Sequence, residues 1–443
     1  MPRIAIRRRI ATAAVLCALV AVPACTEQPV EEVGGAGPSQ EPRHECPDGE
    51  PLAETLSNDA AWQMCWQVEP QRGLVLTDIR YTPPGREPVR IAVSLSLAQL
   101  EVPYDSGERL TEDLTDAGFG GTAMQTLGET ECVGERIATA VPNIGDGTHG
   151  SSPTREVLCS EVRDAGLAYR LQDDGEVTAA RRTDLTLTTI SKVGWYEYLN
   201  TYTFGADGSI RPSLGATGDL SPVDYTDHDH GSAVGPGDTD HAASHSHNAV
   251  WRVHWALGGR GGLAVEQYDA DPTGRAGPES PILAGRLTPL TEPSTARWTD
   301  RRWWRVLAPD RRNADNHPIS YQIDLGGTDG FTFVRDQERH GAETGYDIAF
   351  TNADECEVFA VANRGACGDG VLDYVADGAD EPLDDVVSWV AVGYHHVPRD
   401  EDQSPMEMHW QGFTMTPRGL LAQRPDVPAG REDLNGRPQD AEY

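Results

Sequence analysis

Residues 193–218 are VGWYEYLNTYTFGADGSIRPSLGATG, and they contain two strand-like runs joined by a short polar turn. The first run is rich in aromatic residues, and the second begins at Ile210. Asp207 and Gly208 lie between them, and an Asp-Gly pair is typical of the tight turn of a β-hairpin. The stretch therefore predicts antiparallel β-structure. A tyrosine in such a strand is most often a core residue, so Tyr196 has to be judged from the rest of the chain.

Similar short runs of β-branched and aromatic residues recur along the chain. Examples are residues 90–97, 185–190, 319–323 and 386–392, separated by stretches rich in Gly, Pro and Asp. Long segments with helical periodicity are scarce. The pattern predicts an all-β fold, and a chain of 443 residues is long enough for a large β-sandwich with an extensive core.

The first 24 residues have the features of a secretory signal peptide. Four arginines precede an apolar run over residues 10–22, which is too short to span a bilayer as a mature helix. The run ends in Val-Pro-Ala-Cys, which resembles a bacterial lipobox with Cys25 as the lipidated residue. We therefore expect a lipoprotein signal peptide over 1–24 and a protein anchored by lipid at the extracellular face of the cell membrane. Ordinary secretion with a free Cys25 is the alternative.

The cysteine count agrees with this expectation. One of the eight cysteines lies in the predicted signal peptide and Cys25 would carry lipid, so six remain to pair. A secreted chain matures in an oxidising compartment, where disulfides persist. Pairing of nearest neighbours in the sequence predicts Cys46–Cys65 and Cys356–Cys367.

Composition divides the rest of the chain into four parts. Residues 25–43 are rich in Glu, Pro, Gly and Ser without periodicity, which predicts a flexible tether. Residues 44–72 form a short disulfide-bearing segment, residues 73–425 form the main domain, and residues 426–443 form a polar flexible tail.

The chain is strongly acidic. It has 70 Asp and Glu against 36 Lys and Arg, a formal net charge of −34. Such a surface repels nucleic acid and anionic lipid headgroups, so we expect neither as a partner. It attracts cations, including protonated amines and metal ions, although charge of this kind often serves solubility alone.

Histidines are concentrated in one region. His245 and His247 are two residues apart, so on a strand they face the same side and can bind one ion. A third ligand must come from elsewhere, and His395 and His396 are the candidates. Imidazole-only sites suit copper and zinc and leave positions open for water or substrate. On spacing alone such histidines are more often incidental. Three others are expected to bind metal weakly at most: His228, His230 and His241.

Several stretches together resemble the copper-containing (quinone) amine oxidases. KVGWYEY, residues 192–198, is similar to that family's T-V-G-N-Y-[DE]-Y segment, in which the Tyr, here Tyr196, becomes trihydroxyphenylalanine quinone. His245 follows Tyr196 by 49 residues, close to the family's interval before its first two copper ligands, which implies His245 and His247. WVAVGYHHVPRDED, residues 389–402, resembles the segment of the third ligand and places it at His396, not at His395.

Upstream segments extend the resemblance. SLSLAQLEVPYDSG followed by LTDAGFGG resembles the segment bearing the catalytic base, which implies Asp116 as the base and Tyr104 as the Tyr that hydrogen-bonds the quinone. ECVGE and REVLCSEVRDAGLAYR resemble the family's disulfide-bearing pair, which implies Cys132–Cys159. The similarity runs from about residue 66 to 425.

The chain also departs from the family pattern. Trp195 stands where the family has Asn beside the cofactor Tyr, and on a strand its side chain would face away from Tyr196. The segment after Asp116 lacks the usual Glu and aromatic that follow Asp-x-Gly. Of the family's peripheral calcium-type site, Asp385 matches, whereas His254 sits where an Asp is expected.

The resemblance implies a function. It implies the large β-sandwich (supersandwich) of the catalytic domain over 73–425, with copper and a quinone derived from Tyr196 as cofactors. The reaction would be oxidative deamination of a primary amine with O2, giving aldehyde, ammonia and hydrogen peroxide. It also implies a homodimer with hairpin arms, for which residues 221–240 are a candidate tip. Two alternatives remain: a copper-binding surface lipoprotein that forms no quinone, and a metal-free binding module for glycans or a protein.

Overall fold

The computed structural model describes residues 45–141, 154–173, 175–330, 345–402, 404–428 and 430–431. Nearly all regular structure in these residues is β-strand, and the only α-helices among them are α1 (Asp113–Asp116) and α2 (Val371–Asp377). The strands are β1 (Glu50–Thr55), β2 (Ala61–Glu69), β3 (Gly73–Thr82), β4 (Val89–Pro103), β5 (Leu110–Glu112), β6 (Glu135–Ala140), β7 (Thr154–Asp173), β8 (Glu176–Val193), β9 (Tyr196–Gly205), β10 (Ile210–Gly218), β11 (Gly231–Ala233), β12 (His241–Ala243), β13 (His245–Trp255), β14 (Ala264–Ala276), β15 (Pro281–Leu290), β16 (Ser294–Ala296), β17 (Trp303–Arg312), β18 (Pro318–Asp324), β19 (Ile348–Asn352), β20 (Val386–His396), β21 (Met406–Gly412) and β22 (Thr414–Arg418).

The strands form two large antiparallel sheets. The first has the order β1-β2-β3-β4-β13-β20-β19-β16, with β5 paired to β4. The second has the order β15-β14-β17-β18-β22-β10-β9-β8-β7-β6, with β21 paired to β10. Strands β11 and β12 form a small separate ribbon.

The two large sheets share one hydrophobic core, as in a sandwich. The alternate residues of β9, from Tyr196 to Phe204, are buried on the face that joins this core. Strand β13 lies between β4 and β20 in the first sheet and is buried along almost its whole length. Side chains that are fully buried in the molecule include Trp62, Trp251 and Trp304. The prediction of a large all-β sandwich is confirmed.

The stretch at residues 193–218 forms the predicted hairpin. Strands β9 and β10 pair antiparallel, with Phe204 opposite Ile210. The turn before β9 differs from expectation, because Gly194 and Trp195 form a two-residue connection between Val193 of β8 and Tyr196 of β9. Gly194 has a φ of 60°, a conformation that glycine adopts without steric cost. Trp195 therefore lies in a turn, 42 % exposed, and not on a strand.

All three predicted disulfides are present. Their Cα–Cα distances are 5.5 to 5.9 Å, within the range usual for such bridges. The bonded pairs are Cys46–Cys65, Cys132–Cys159 and Cys356–Cys367. The first pair fastens the chain before β1 to β2, and both strands are continuous with β3 in the first sheet. The segment 44–72 is therefore built into the sandwich.

The candidate arm tip does not have the predicted form. Within residues 221–240 the structure has a single turn of 3-10 helix, Pro222–Asp224, and strand β11, which pairs only with β12. Among the described strands, β7–β8 and β14–β15 form long hairpins. The Gly-rich composition of 221–240 therefore reflects irregular structure and not the end of a long hairpin.

The predicted signal peptide and tether, residues 1–43, lie outside the described residues, as does most of the tail. Among the residues that are described, no helix has the length and apolar character needed to cross a membrane.

Candidate active site

Three strands from the two sheets meet at one end of the sandwich. Tyr196 is the first residue of β9 in the second sheet, His245 is the first residue of β13 in the first sheet, and His396 is the last residue of the neighbouring β20. His245 and His396 are directly opposite each other in the antiparallel register. Side chains two residues apart on β13 share a face, which brings His247 to the same point.

The three histidines surround the tyrosine hydroxyl. His245, His247 and His396 are 1, 1 and 2 % exposed, and their ligand nitrogens all lie within 4.8 Å of one another. The Tyr196 hydroxyl oxygen is 2.7 Å from Nε2 of His245 and 3.4 Å from Nδ1 of His396. The ring centroid of Tyr196 is 4.8 Å from that of His247. The four predicted residues are thus brought together in one buried cluster.

The hydrogen bonds of His245 and His396 leave one nitrogen of each ring facing inward. Nδ1 of His245 lies 3.0 Å from the carbonyl oxygen of Ala243 and donates to it, which leaves Nε2 with its lone pair toward Tyr196. Nε2 of His396 lies 3.0 Å from a carboxylate oxygen of the buried Asp402, which leaves Nδ1 inward. A carboxylate behind a metal-binding histidine fixes its orientation in many metal sites.

His247 gives the clearest indication that the cluster suits a metal ion. Its Nε2 is buried and has no hydrogen-bond partner among the described residues. Burial lowers the pKa of His247 well below its usual value and lowers that of His245 to about 3. Neutral imidazoles with inward lone pairs are the ligand form that copper or zinc requires. The donor set therefore fits a copper ion.

The other histidines that the sequence analysis considered as metal ligands lie elsewhere. His395 faces the opposite side of β20 and pairs with Asp105 at 3.0 Å, with 39 % of its side chain exposed. The rings of His228 and His241 contact each other at 3.9 Å, and His230 contacts Asp227. These histidines do not approach the buried cluster.

Tyr104 lies against the cluster on another side. Its ring stacks on that of His245, with the centroids 4.8 Å apart. The guanidinium of Arg109 lies over the Tyr104 ring, 3.7 Å from the ring centroid. Burial raises the pKa of the Tyr196 phenol, and the nearby Tyr104 and Asp402 act in the same direction. Tyr104 is thus placed beside the group that it was predicted to hydrogen-bond.

Asp116, the predicted base, is not in the cluster. It is the last residue of α1, its side chain is 51 % exposed, and Arg364 lies 4.0 Å away. Asp113, the first residue of the same helix, is buried and hydrogen-bonds with Thr111 and Tyr198. Burial raises the pKa of Asp113 to about 6.

A signal for Asp113 was present in the sequence. Asp116 lacked the acidic residue that the family has three positions after its catalytic Asp. If the comparison is shifted by three residues, Asp113 takes the place of the catalytic Asp and Asp116 takes that of the following acidic residue. The shifted comparison no longer matches the Gly of the family's Asp-x-Gly.

Asp385, the residue that matches the family's peripheral calcium-type site, forms ion pairs within the chain. The carboxylate of Asp385 lies 2.7 Å from Nε2 of His254 and 2.7 Å from Nη2 of Arg260. A guanidinium and an imidazole at this carboxylate occupy the oxygen atoms that a hard divalent cation would need.

Comparison with known proteins agrees with this geometry. The family model "Copper amine oxidase, enzyme domain" matches residues 57–432, most of the chain. The chain belongs to the copper amine oxidase family. Over 389 residues it is 26 % identical to a histamine oxidase of Arthrobacter globiformis, covering 83 % of this chain and 56 % of that protein. It is also 26 % identical to primary amine oxidase 2 of Arabidopsis thaliana, covering 77 % of this chain and 54 % of that protein.

Solved structures of copper amine oxidases share the fold. A copper-containing benzylamine oxidase from Hansenula polymorpha matches with a TM-score of 0.70 at 23 % identity, over 83 % of this chain and 60 % of that one. The amine oxidase of Aspergillus nidulans matches with a TM-score of 0.67 at 20 % identity, over 90 % of this chain and 56 % of that one. The chain thus spans little more than half the length of these relatives.

Proposed function

We propose that this protein oxidises a primary amine to an aldehyde in a reaction that depends on copper and on a quinone formed from Tyr196. The observation that carries the proposal is the position of the Tyr196 hydroxyl, 2.7 Å from Nε2 of His245 inside a buried set of three histidines. A tyrosine that served packing alone would not need three imidazoles with inward lone pairs around its oxygen.

Each histidine would hold copper through a defined atom. These atoms are Nε2 of His245, Nε2 of His247 and Nδ1 of His396. When bound, copper and O2 supply the oxidation of the tyrosine to a quinone, and the quinone accepts the electrons of the amine. Asp402 keeps His396 in the tautomer that presents Nδ1 inward.

We propose Asp113, in place of Asp116, as the general base that takes a proton from the amine's α-carbon. Its carboxyl contacts Tyr198, whose ring stacks against that of Tyr196 with centroids 5.8 Å apart. Burial raises its pKa to about 6, and a general base works best when its pKa is near the pH at which it acts. Asp116, in contrast, is 51 % exposed and lies 4.0 Å from Arg364.

The test is mass spectrometry of the peptide that contains Tyr196. The protein is prepared without copper, loaded with copper in air and digested. We expect the peptide to gain two oxygen atoms and lose two hydrogen atoms, with a positive quinone stain. Tyr198→Phe is the matched control, because Tyr198 is a neighbouring buried tyrosine on the same strand face, and the Tyr196 peptide should still be converted. Bound copper with an unmodified Tyr196 peptide would indicate a copper-binding protein without amine oxidation.

The substrate class can be tested with the same material. Relatives in the family are named for histamine and methylamine, and one solved structure is named for benzylamine. Release of hydrogen peroxide from each of these three amines is the assay. Failure of all three with a fully formed quinone would contradict the proposed activity on small primary amines.

We also propose that the protein is a homodimer. The hairpin β14–β15 extends from the second sheet, and its strand β15 exposes Ile282, Leu283 and Leu287 at 39 to 44 %. Apolar side chains on a projecting hairpin are typical of a surface that a second subunit covers. Light scattering should give the dimer mass, and Leu283→Asp should shift it to the monomer. A wild-type monomer at micromolar concentration would contradict the proposal.

The predicted signal peptide, lipid on Cys25 and extracellular location remain proposals from the sequence. Globomycin-sensitive processing, or a lipid mass on the amino-terminal peptide, is the direct test.

A further inference from the structure

His396 has a second buried cluster on its outer side. Its Nε2 lies 3.0 Å from Oδ2 of Asp402, and His409 of β21 lies beyond, with its ring centroid 4.5 Å from that of His396. One ligand atom from each of the three residues lies within 4.8 Å of the others. The set of two imidazoles and a carboxylate is separate from the inner histidines except for the shared ring of His396.

Two buried polar atoms in this outer cluster face each other without a hydrogen bond. Oδ1 of Asp402 and Nε2 of His409 are both buried and have no hydrogen-bond partner among the described residues. They are 3.8 Å apart, and the Asp402 side chain is only 1 % exposed. Nε of Arg399 is 3.7 Å from Oδ1, beyond hydrogen-bonding distance, on a side chain that is 56 % exposed. Buried polar atoms left unpaired are costly, so a cation or a water between them would stabilise the cluster.

The ring of His409 is oriented for a ligand in this gap. Its Nδ1 lies 3.2 Å from the hydroxyl of Tyr394, and the two rings stack at 5.3 Å. When Nδ1 carries the proton and donates it to Tyr394, Nε2 keeps its lone pair toward Asp402. A neighbour that fixes the tautomer in this way is a common feature of metal-binding histidines.

A surface cavity lies beside the outer cluster. A surface cavity of about 560 Å³ has Asp402 in its wall, together with Trp195, Arg399 and three further acidic residues: Asp219, Asp240 and Asp400. Clefts lined mainly by one sign of charge raise the local concentration of the opposite ion. The His409 side chain is 12 % exposed, whereas the inner histidines are at most 2 % exposed.

We propose that Asp402, His409 and Nε2 of His396 form an outer site for a divalent transition metal, through which the metal reaches the inner three histidines. Imidazole and carboxylate donors together suit copper, zinc and nickel. A neutral imidazole has one lone pair on nitrogen, so His396 binds metal on one side at a time. The outer site is therefore occupied first, and the metal then passes to the inner site. This inference rests on the function proposed for the inner site.

The outer site can be tested without the inner one. In the double variant His245→Ala/His247→Ala, copper(II) chloride should bind at about one ion per chain, with two imidazole nitrogens in the electron paramagnetic resonance spectrum. Adding His409→Gln should weaken binding at least tenfold and remove one nitrogen coupling. Adding His395→Gln, the matched change in an exposed neighbouring histidine, should do neither. A folded double variant that binds no copper would show that the gap holds water only, and unchanged binding after His409→Gln would place the metal elsewhere.

The route is tested in the otherwise native chain. His409→Gln should slow copper loading at least tenfold, as followed by the metal content of desalted samples, while the final content stays at one inner copper per chain. Equal loading rates for His409→Gln and His395→Gln would overturn the route. Absence of quinone in a chain that loads copper normally would count against the proposed function and leave the outer site standing.

Discussion

Replacing Asp113 with Asn separates the two candidate bases on α1. Asn keeps the shape of the side chain and can still hydrogen-bond with Thr111 and Tyr198, but it cannot accept a proton from substrate. The variant should form quinone normally, because this carboxyl hydrogen-bonds with Thr111 and Tyr198, whereas the Tyr196 hydroxyl lies against His245. A positioned base contributes a factor of about 10² to 10⁴ in rate, so kcat should fall by that amount.

The pKa of Asp113 gives the expected pH profile. With a pKa of about 6, the carboxyl is ionised in only about a tenth of the molecules at pH 5 and in about nine-tenths at pH 7. The value of kcat/KM for the neutral amine should therefore drop about tenfold from its plateau to pH 5.

The same shift predicts a change in stability. Burial raises the pKa from 3.8 to about 6, so the native state holds the proton more tightly than the unfolded state. The contribution of Asp113 to the free energy of unfolding is greatest below pH 3.8 and decreases as pH rises through the window up to 6, by roughly 3 kcal/mol in total. Asp113→Asn should remove this penalty, so it should equal or exceed the wild type in free energy of unfolding at pH 8 and lose the advantage near pH 4.

The assay is peroxide release at saturating amine, with quinone content titrated in each sample. Asp116→Asn is the matched control on the same helix, and it should keep kcat within about twofold because solvent screens an exposed charge. If Asp116→Asn abolishes turnover while Asp113→Asn retains it, the assignment from the sequence is right and the reasoning from burial is wrong.

Three further results are expected. Chelation should lower the melting temperature of the wild type but not of His247→Ala, since free copper at 100 times its Kd stabilises the native state by about 2.7 kcal/mol; equal shifts in both would place the stabilising metal elsewhere. Gly194→Ala should cost about 1 to 2 kcal/mol in urea unfolding, because the φ of 60° strains any side chain although no atom lies within 4 Å; an unchanged midpoint would contradict this. Trp195→Asn should change stability by less than about 0.5 kcal/mol, as thermal unfolding would show, because the ring is exposed in a turn.

Local chemistry in the sequence was enough for much of the fold. The Asp-Gly pair at Asp207 and Gly208 placed the β9–β10 hairpin, and runs of β-branched residues placed the central strands. The i, i+2 spacing of His245 and His247 predicted a shared face, because side chains on a strand alternate with a period of two. The resemblance to the family then selected His396 over His395, and the structure places these two on opposite faces of β20.

The tertiary structure decided what depends on contacts between distant segments. Asp113 and Asp116 lie on one four-residue helix, and the sequence signal for Asp113 comes from comparison with the family and does not state which carboxyl is buried. Packing against Tyr198 of the other sheet decides that. The outer cluster likewise joins Asp402 and His409 to His396, and their spacing matches no motif. Sequence periodicity fixes which residues share a face within one element, whereas the environment of a carboxylate or an imidazole is set by the strands that pack across from it.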